Sequence, residues 1–599
     1  MSLLGCVMAV QAAAQTAPAP IAPLPSKHQV AWQQMETYAF IHFGPNTFGN
    51  REWGYGDAPL ESFNPTRLDC EQWAKTLHDA GMKGIIITAK HHDGFCLWPT
   101  KYTDYSVRNT PYKNGKGDIV GELSAACKKY GLKFGVYLSP WDRHQAFYGT
   151  PLYVEYFYAQ LEELLTQYGD IFEIWFDGAN GGDGYYGGAR EERTIDRRTY
   201  YNFPRAWEMV ERLQPQAIIF SDGGPGCRWV GNEKGYAHAT NWSFLRGNEV
   251  YPGYSRYWEL QQGHADGDTW TPAECDVSIR PVWFYHESED SKVKTVDYLT
   301  DLYYRSVGHN ATFLLNMPVD KEGRIHPIDS ARVVDFHKRI CAEFKTDLLA
   351  KAKIKASNVR GKQWGTANLT DGNYETYWSI SDGDGTDKAQ LTIALPRNTR
   401  LNRLMLQEYI PLGQRVQRFS VSYLKGKEWA PLSVGEETTT VGYKRLLRFA
   451  TIETRQIRIS FDAMRGPICL STVAAYLAPE TKGAEAKKEE VKGVDFTATA
   501  EGDNVVTFDL GGEQEIGSLR YLPQQGDDRK GLVANYEIYA GMEKDAMQRV
   551  AEGEFSNIRN NPVMQEVFFT PTHCRYVQLR ATRMVNAGEK IAYQQVIIR

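Results

Sequence analysis

The 599-residue sequence predicts a multidomain protein in which a (β/α)8-type barrel is followed by two all-β sandwich domains. Over roughly 300 residues, apolar runs of strand length alternate with helix-like segments, a pattern that favours a parallel barrel. Most of these runs end in polar or charged side chains. Beyond about residue 355 the sequence changes to short alternating segments with Gly, Asn and Asp at the turns, which is typical of β-sandwiches.

The barrel is predicted to occupy residues 28–345. Seven apolar runs in it qualify as strands, and they begin at Ala39, Gly84, Lys133, Ile171, Ala217, Arg280 and Ala311. Helix-like segments separate them, for example residues 70–80, 120–130, 152–168 and 200–213. The strands of a (β/α)8 barrel all open their carboxyl ends on one face, where active sites lie. The polar residues that end the runs are therefore expected to share one pocket.

His91, His92 and Asp93 follow the second run, and Gly94 and Phe95 come next. Successive side chains of a strand point to opposite faces, so both imidazoles reach one pocket only if the strand end twists. Two adjacent imidazoles and a carboxylate at a strand end indicate a catalytic or binding site. The alternatives are a polar loop that leads into a capped helix, and a metal site formed by the three side chains.

The carboxylate of Asp177 ends the fourth run and is followed by Gly178, which lets a ligand approach closely. Trp175 lies two residues earlier and therefore on the same side of the strand. An aromatic ring beside a carboxylate suits a sugar that stacks on the ring while its anomeric carbon meets the acid. The residues alone leave open whether Asp177 is a nucleophile, a metal ligand or a hydrogen-bond anchor.

Hydrolysis of a glycoside requires a second carboxyl group whose pKa differs from that of the first. The candidates in this sequence are Glu233, Glu274, Glu287 and Glu289. Glu233 lies in a loop-like stretch after the fifth run, where glycines on both sides allow it to reach over the pocket. A solvated surface carboxylate is the alternative interpretation of this position.

Five segments carry a resemblance to a known family: Ile-His-Phe-Gly (41–44), Glu-Trp (52–53), His-His-Asp-Gly-Phe-Cys-Leu-Trp (91–98), Trp-Phe-Asp-Gly (175–178) and Leu-Leu-Asn (314–316). They closely resemble the α-L-fucosidases of glycoside hydrolase family 29, and they follow the family's order across the whole barrel region. The resemblance implies a retaining enzyme whose nucleophile is Asp177. The fucose-binding residues that it implies are His42, Glu52, Trp53, His91, His92, Tyr137 and Trp175. It also implies that Trp283 packs on the methyl group of fucose.

The segment Arg-Trp-Val-Gly-Asn-Glu (228–233) resembles the acid/base segment of the subgroup that cleaves α-1,3 and α-1,4 linkages in branched, Lewis-type glycans. The resemblance implies that Glu233 is the acid/base, ahead of Glu274 and Glu287. Trp229 beside it is expected to contact the sugar beyond fucose. We therefore expect a retaining exo-α-L-fucosidase that forms a covalent fucosyl-enzyme. The alternatives are a broad, α-1,2 or α-1,6 linkage preference, another deoxy-sugar or galactose as substrate, and a non-catalytic glycan-binding protein.

Two β domains are predicted after the barrel, at residues 350–480 and 493–599, with a linker rich in Lys, Glu, Ala and Gly at residues 481–492. Both resemble discoidin-type (galactose-binding-like) sandwiches, the second more clearly. Such modules often bind glycans through the loops at one end, so residues 493–599 are a candidate carbohydrate-binding module. The alternative is that the sandwiches only pack against the barrel.

Residues 1–27 are predicted to be a signal peptide and leader. Residues 3–14 are apolar but too few to span a bilayer comfortably. Small residues at 12–14 suit cleavage by a signal peptidase, although a basic N-terminal region is missing. The segment Leu3-Leu4-Gly5-Cys6 resembles a lipoprotein box. The protein is therefore expected to be secreted or periplasmic in a bacterium, with a lipid anchor as the alternative.

The formal net charge of -5 excludes a general attraction to nucleic acid or to anionic membranes. The expected partners are fucosylated oligosaccharides or glycoconjugates. The 9 cysteines show no metal-binding spacing, so no structural zinc is predicted. Because a carboxylate meets the positive charge of the transition state, catalysis is expected to need no cofactor and no metal. Calcium is considered only as a structural ion in a β-sandwich.

Overall fold

The computed structural model of the protein describes residues 16–178, 181–383, 388–479, 493–526 and 529–599. The predicted linker at 481–492 and residues 1–15 of the predicted leader lie outside the described residues. Residues 16–25 lie along the first sandwich, to which the backbones of Ala19 and Ile21 are hydrogen-bonded. No helix in the described ranges has the length and apolar character needed to cross a membrane.

Eight parallel strands form a closed barrel, which confirms the predicted fold class. In chain order the strands are β1 (Thr37–Ile41), β2 (Gly84–Lys90), β3 (Lys133–Leu138), β4 (Ile171–Trp175), β5 (Ile218–Ser221), β6 (Cys227–Trp229), β7 (Ala273–Ser278) and β8 (Ala311–Asn316). Each strand pairs with the next one along the chain, and β8 pairs with β1 to close the barrel. Nearly all of their side chains are buried, as expected when helices cover the outer face.

The α-helices in the described part of the chain are α1 (Lys27–Gln33), α2 (Pro45–Gly49), α3 (Cys70–Asp79), α4 (Ile119–Tyr130), α5 (Pro151–Gln167), α6 (Phe203–Leu213), α7 (Tyr257–Leu260), α8 (Val296–Arg305) and α9 (Pro327–Glu343). The side chains of Asp69 and Asp118 cap α3 and α4 by accepting backbone N–H groups of their first turns. The connection from β5 to β6 is only residues 222–226 and contains no helix. The barrel therefore departs there from regular alternation.

The seventh strand differs from the predicted one. It lies at Ala273–Ser278, whereas the apolar run that begins at Arg280 forms a loop up to residue 286. Glu274 and Asp276 face the barrel interior, where their carboxyl groups accept hydrogen bonds from tryptophan and tyrosine side chains. A strand with polar residues on its inner face lacks the apolar pattern on which the prediction relied.

The sixth strand, Cys227–Trp229, lies where the sequence predicts a loop. It is only three residues long, and turn-forming glycines precede and follow it. Glu233 lies in the loop that follows this strand. The loop therefore starts at the carboxyl face of the barrel, as the prediction for Glu233 requires.

The first sandwich consists of antiparallel strands. They are β9 (Lys353–Ala356), β10 (Trp378–Ser379), β11 (Ala389–Glu408), β12 (Val416–Lys425), β13 (Glu428–Pro431), β14 (Arg445–Met464) and β15 (Cys469–Tyr476). Their order is β10-β15-β11-β14-β12-β13, and β9 pairs with β11. The pairing of the long strands β11 and β14 shifts register between Ala394 and Thr399, which lets the sheet bend over its own core.

The second sandwich is built in the same way. Its strands are β16 (Thr497–Ala500), β17 (Val505–Pro523), β18 (Val533–Gly541), β19 (Gln548–Glu554), β20 (Gln565–Met584) and β21 (Tyr593–Ile598). Their order is β16-β17-β20-β18-β19, and β21 pairs with β17. The loop between β19 and β20 lies against the carboxyl face of the barrel, where it takes part in the site described next.

Candidate active site

The carboxyl ends of the barrel strands surround a cavity of about 250 Å³. Ten of the predicted site residues line it: His42, Trp53, His91, His92, Tyr137, Trp175, Asp177, Trp229, Glu233 and Trp283. Both imidazoles of the His91-His92 pair reach the cavity, because β2 ends at Lys90 and the chain turns directly afterwards. Side chains predicted from separate strand ends therefore meet in one pocket.

Asp177 lies just beyond the end of β4, with its side chain 34% exposed. The hydroxyl group of Tyr137 donates to Asp177 Oδ2 over 3.1 Å. His92 Nε2 lies 3.5 Å from the same oxygen. A Cβ on Gly178 would lie 2.4 Å from a carboxylate oxygen of Asp222, so the glycine allows the chain to leave the strand beside a second acidic side chain.

The tautomer of His42 is fixed by Asn316. The Asn316 amide donates from Nδ2 to Ser278 Oγ (2.9 Å) and to the Trp283 carbonyl (2.8 Å), so its Oδ1 is the acceptor that faces His42 Nδ1 at 2.9 Å. His42 therefore carries its hydrogen on Nδ1. Burial lowers the pKa of His42 to about 3. The neutral ring presents an Nε2 lone pair that can accept a hydroxyl hydrogen of a ligand.

His92 is held in the same tautomer by Ser139. The Ser139 hydroxyl donates to the Trp141 carbonyl over 2.6 Å, and Ser139 Oγ therefore accepts from His92 Nδ1 at 2.7 Å. Burial lowers the pKa of His92 to about 3. Its Nε2 lone pair can then accept the hydrogen of a ligand hydroxyl group, whereas Asp177 Oδ2 already accepts from Tyr137. His91 lies between His42 and His92, and its ring centroid is 5.5 Å from that of His42 and 4.2 Å from that of His92.

Aromatic rings form much of the surface of the cavity. Trp175 stacks on Phe220 with 3.6 Å between ring centroids and 4° between planes. Trp53 meets His92 edge to face at 5.4 Å. The Trp229 indole donates to Asp276 Oδ1 over 2.8 Å, which fixes the ring orientation. These rings supply the apolar surfaces on which a sugar can stack.

Glu233 is held over the cavity by two donors. Its Oε2 accepts from Trp283 Nε1 at 2.6 Å and from Asn557 Nδ2 at 2.7 Å, and Asn557 Nδ2 also lies 2.9 Å from Oε1. The pKa of Glu233 is raised from 4.5 to about 8, mainly by burial and to a smaller extent by the charge of Asp177, while these two hydrogen bonds lower it. Glu233 is therefore protonated at neutral pH, unlike an ordinary carboxyl group.

Glu52, the remaining predicted site residue, does not line this cavity. Its carboxylate accepts the backbone N–H groups of Trp283 (2.8 Å) and Phe284 (3.2 Å), and His286 Nε2 lies 3.3 Å away. Glu52 lies at the edge of a neighbouring groove of about 1270 Å³ between the barrel and the second sandwich. In this arrangement Glu52 supports the loop that carries Trp283.

The other glutamates proposed for the second carboxyl position lie elsewhere. Glu274 is fully buried inside the barrel, where it accepts from Trp175 Nε1 (2.7 Å) and from the Tyr38 hydroxyl. Glu287 and Glu289 line the neighbouring groove. Among these candidates, Glu233 is the one that shares the cavity with Asp177.

The metal alternative gains no support from the described residues. Asp93 does not line the cavity, and burial raises its pKa to about 7. One group in the described ranges has three ligand atoms within 4.8 Å of one another: Glu173, Cys227 and Glu274. These side chains lie inside the barrel, and their oxygens already accept hydrogen bonds from Trp32, Tyr38 and Trp175.

Sequence reasoning missed several residues that line the cavity. Asp222 follows β5 and accepts the backbone N–H of Gly253 over 2.7 Å, and Asp276 belongs to the unrecognised strand β7. Phe555, Ser556, Asn557, Ile558, Arg559 and Asn560 come from the second sandwich. The signal that could have identified Asp222 is its position at the end of the fifth run. No pattern in the sequence connects residues 555–560 with the barrel.

A (β/α)8 barrel that holds two carboxyl groups in different environments among aromatic rings has the machinery for hydrolysing glycosides. Comparison with known proteins gives the family within this class. Residues 12–338 match the model of the Alpha-L-fucosidase family, and the chain belongs to that family. The predicted enzyme class, an α-L-fucosidase among the glycoside hydrolases, is thereby confirmed. Residues 353–472, the first sandwich, match the F5/8 type C domain.

Similar proteins cover most of the chain. Alpha-L-fucosidase 1 of Arabidopsis thaliana is 42% identical over 472 residues, which is 77% of this chain and 88% of the relative. A glycoside hydrolase 29 family member from an unknown rumen bacterium is 41% identical, with a TM-score of 0.70 over 97% of this chain and 100% of that one. A GH29 fucosidase of Ruminococcus gnavus, solved in complex with fucose, is 36% identical with a TM-score of 0.69 over 78% and 97% of the two chains.

Proposed function

We propose that this fucosidase retains the configuration of its sugar, with Asp177 as nucleophile and Glu233 as acid/base. The observation that carries the proposal is the difference between these two carboxyl groups in one cavity. Glu233 has a pKa raised to about 8 by burial, so it holds a proton at neutral pH. Asp177 is partly open to the cavity and is held by the Tyr137 hydroxyl. An acid and a nucleophile are what a double displacement requires.

The reaction then proceeds in two steps. The Nε2 atoms of His42 and His92 accept hydrogen bonds from fucose hydroxyl groups while the ring packs on the aromatic surface. Asp177 attacks the anomeric carbon as Glu233 gives its proton to the departing glycosidic oxygen, and a fucosyl-enzyme forms. Glu233 then takes a proton from water, which attacks the anomeric carbon and releases fucose. A retaining pair predicts a separation of roughly 5–5.5 Å between the carboxyl groups.

Replacement of the nucleophile tests this mechanism. Asp177→Ala should lower turnover of an aryl α-L-fucoside by several orders of magnitude, because it removes the carboxylate that forms the covalent intermediate. Added azide should restore turnover and yield fucosyl azide of the inverted (β) configuration, which NMR identifies. Asp177→Asn should be equally slow. Near-native hydrolysis by the Asn variant, with the fold verified by circular dichroism, would contradict the assignment.

For the linkage, we propose that the enzyme removes α-1,3- or α-1,4-linked fucose from branched, Lewis-type glycans. Trp229 supports the proposal, because Asp276 fixes its indole beside the loop of Glu233 and its ring packs edge to face on Tyr257 at 5.0 Å. Such a fixed ring provides a surface for the sugar beyond fucose. Binding energy from that sugar orients the scissile bond and raises kcat/KM.

A panel of fucosylated oligosaccharides measures the linkage preference. Lewis-type trisaccharides, in which galactose and fucose share one N-acetylglucosamine, should have a much higher kcat/KM than the α-1,2-linked 2′-fucosyllactose. Trp229→Ala should reduce this difference and leave hydrolysis of aryl fucosides close to native. Equal or better kcat/KM on the α-1,2-linked glycan would overturn the linkage proposal while the fucosidase assignment stands.

Three further expectations stay predictions. Export to the periplasm or medium, with or without a lipid anchor, is tested by determining the N-terminus and mass of the protein isolated from its own cells. Glycan binding by residues 493–599 is tested on a glycan array with the Asp177→Ala protein, which does not consume its ligands. A calcium ion in a β-sandwich is tested by comparing the thermal unfolding midpoint in calcium and in EDTA.

A further inference from the structure

The second sandwich reaches the catalytic cavity through the segment that leaves β19, residues 555–561, here called the 555–561 loop. Residues 555–560 of this loop line the same cavity as Asp177. The loop lies on the side of the cavity where Glu233 stands, and Arg559 lies over the ring of Tyr257 at 5.5 Å. The cavity is therefore formed jointly by the barrel and a domain that begins at residue 493, beyond the whole first sandwich.

The loop is attached to the barrel on both sides. At its start, Glu554 Oε2 accepts from the guanidinium group of Arg143 over 3.3 Å, and Ser556 Oγ donates to Glu554 Oε1 over 2.6 Å. At its end, Asn561 Nδ2 donates to the carbonyl of Pro281 over 3.0 Å, in the loop that carries Trp283. The position of the loop is thus fixed by hydrogen bonds whose donor or acceptor belongs to the barrel.

Asn557 is the residue of this loop that contacts the proposed acid/base. Its φ is +58°, a left-handed conformation that Asn adopts more readily than most residues. Its carbonyl accepts the backbone N–H groups of Asn560 (3.1 Å) and Asn561 (2.8 Å), which closes a tight turn. Its side chain is buried, and Nδ2 points at both oxygens of Glu233. The turn therefore aims a single amide at a single carboxyl group.

The hydrogen bonds also distinguish the two oxygens of Glu233. Oε2 receives Trp283 Nε1 (2.6 Å) and Asn557 Nδ2 (2.7 Å), whereas the contact of Oε1 within the described ranges is the longer one of 2.9 Å with Asn557. An oxygen that already accepts two hydrogen bonds is a poor site for a proton. The acidic hydrogen therefore belongs on Oε1, and the two donors set the direction in which that hydrogen points.

We propose that Asn557 is a positioning residue for Glu233, which makes the second sandwich part of the catalytic apparatus. The inference rests on the proposed role of Glu233. Without Asn557 the carboxyl group is held by Trp283 alone and can rotate about its last side-chain bond. Proton transfer to the departing oxygen then suffers, whereas attack by Asp177 does not. The effect should appear only where the leaving group needs a proton.

Two variants of Asn557 test the inference, with Asn586→Ala as the control. Asn586 is an exposed asparagine of the same sandwich, outside the cavity, whose side chain bonds to Glu589 at 3.2 Å. Asn557→Ala should lower kcat/KM for a fucosyl oligosaccharide by about 3- to 10-fold, as expected for loss of one hydrogen bond to a neutral carboxyl group. It should change kcat/KM for a dinitrophenyl fucoside much less. Asn586→Ala should match the native protein on both.

Asn557→Asp gives a second readout and keeps a residue that tolerates the left-handed turn. It places a carboxyl group against Glu233, and two adjacent carboxyl groups bind their shared proton more tightly. The fall of kcat/KM at alkaline pH, here called the alkaline limb, should therefore occur at higher pH than in the native protein. A merely structural change would lower the rate at all pH values without moving the limb.

The outcomes separate the inference from the function on which it rests. Equal losses on both substrates in Asn557→Ala, or an unmoved alkaline limb in Asn557→Asp, would overturn the positioning role. If Glu233→Ala loses activity on oligosaccharides while both Asn557 variants behave as native, only the inference fails. If Glu233→Ala itself behaves as native, the acid/base assignment fails and the inference fails with it.

Discussion

At the scale of single residues, two half-buried carboxyl groups in one cavity differ in their surroundings. Asp177 accepts from the Tyr137 hydroxyl, whereas Glu233 is held by Trp283 and Asn557. Burial raises the pKa of Glu233 to about 8. In water the two side chains would have similar pKa values. Their surroundings thus support the proposed division into an acid and a nucleophile.

The raised pKa predicts the pH dependence of hydrolysis. The acid form of Glu233 is present below about pH 8 and is lost as the pH rises through that value. We therefore expect kcat/KM for a fucosyl disaccharide to fall above about pH 8, because the departing oxygen then receives no proton. An aryl fucoside with a good leaving group should show a weaker decline. Rates measured from acidic to alkaline pH on both substrates provide the comparison.

Variants of Glu233 and Glu274 show which residue causes the fall of kcat/KM at alkaline pH. Glu233→Ala should lose about 10²- to 10⁴-fold in rate on the disaccharide and much less on the aryl fucoside. Glu274→Gln, which keeps the shape of a residue below the cavity, is the matched comparison. The acid role would pass to Glu274 if its variant showed the selective loss while Glu233→Ala remained native-like.

Individual cavity residues could be predicted where they follow an apolar strand. His42, His91, His92 and Asp177 each stand directly after such a run, and the parallel barrel brings these ends together. Glu52 differs because it lies in a long connection, where the sequence does not say which way a side chain turns. In the structure it holds backbone N–H groups of the Trp283 loop.

At the scale of elements, the exit from β4 leaves no room for a larger residue at position 178. A Cβ there would lie 2.4 Å from Asp222 Oδ2 and 3.0 Å from the backbone nitrogen of Gly253. Gly178→Ala should therefore displace Asp177 or Asp222 and lower kcat/KM by about 10²-fold, as small displacements at a reacting centre do. The thermal unfolding midpoint should change far less than the rate.

The control for this substitution is Gly512→Ala in the second sandwich. A Cβ at Gly512 meets no atom within 4 Å, and its backbone does not require a glycine conformation. Its kinetics should match those of the native protein. Native kcat/KM in Gly178→Ala would show that the strand exit can relax without moving the nucleophile, and the prediction would be wrong.

Most barrel elements were predictable because their strands are apolar on both faces. Two strands are exceptions. β6 is only three residues long, and β7 carries Glu274 and Asp276 on its inner face, where indole and phenol donors satisfy them. The aromatic run after it looked more like a strand but forms the loop that carries Trp283. A hydrophobic pattern cannot reveal a strand whose inner face belongs to a buried polar network.

At the scale of the whole molecule, the second sandwich is joined to the barrel by charged groups as well as by the 555–561 loop. Arg143 is almost fully buried and contacts Glu554, and Arg583 bridges to Asp183 over 3.1 Å. Glu554 is one of two carboxylates that face Arg143, the other being Asp183 at 3.6 Å. Because its removal costs one hydrogen bond to a charged group, Glu554→Ala should lower the free energy of unfolding by about 2 kcal/mol. It should also lower kcat/KM, since the 555–561 loop loses its first attachment.

Glu552→Ala is the matched control, two residues earlier on the same strand. Glu552 is 61% exposed and pairs only with the exposed Arg549 among the described residues. An exposed pair contributes about 0–1 kcal/mol, so this variant should unfold close to the native midpoint. Equal stability of the two variants in urea or thermal unfolding would show that the Arg143 contact does not hold the domains together.

The arrangement of whole domains could be predicted only in part. The change from alternating strands and helices to short β segments marks the barrel and the sandwiches well. Nothing in residues 555–561 marks them as part of the active site, because a contact between Asn557 and Glu233 spans 324 positions and depends on how two folded domains meet. Local sequence patterns carry no information about the interface between two folded domains.

The contact between Asn557 and Glu233 also has a consequence for biosynthesis. Chains are made from the amino end and domains fold as units, so the barrel can form before the last sandwich has been synthesised. A chain at that stage holds the proposed nucleophile Asp177 and the imidazoles of the cavity, but Glu233 still lacks the donor from Asn557. If Asn557 positions Glu233 as proposed, full activity on natural glycans requires the folded second sandwich as well as the barrel.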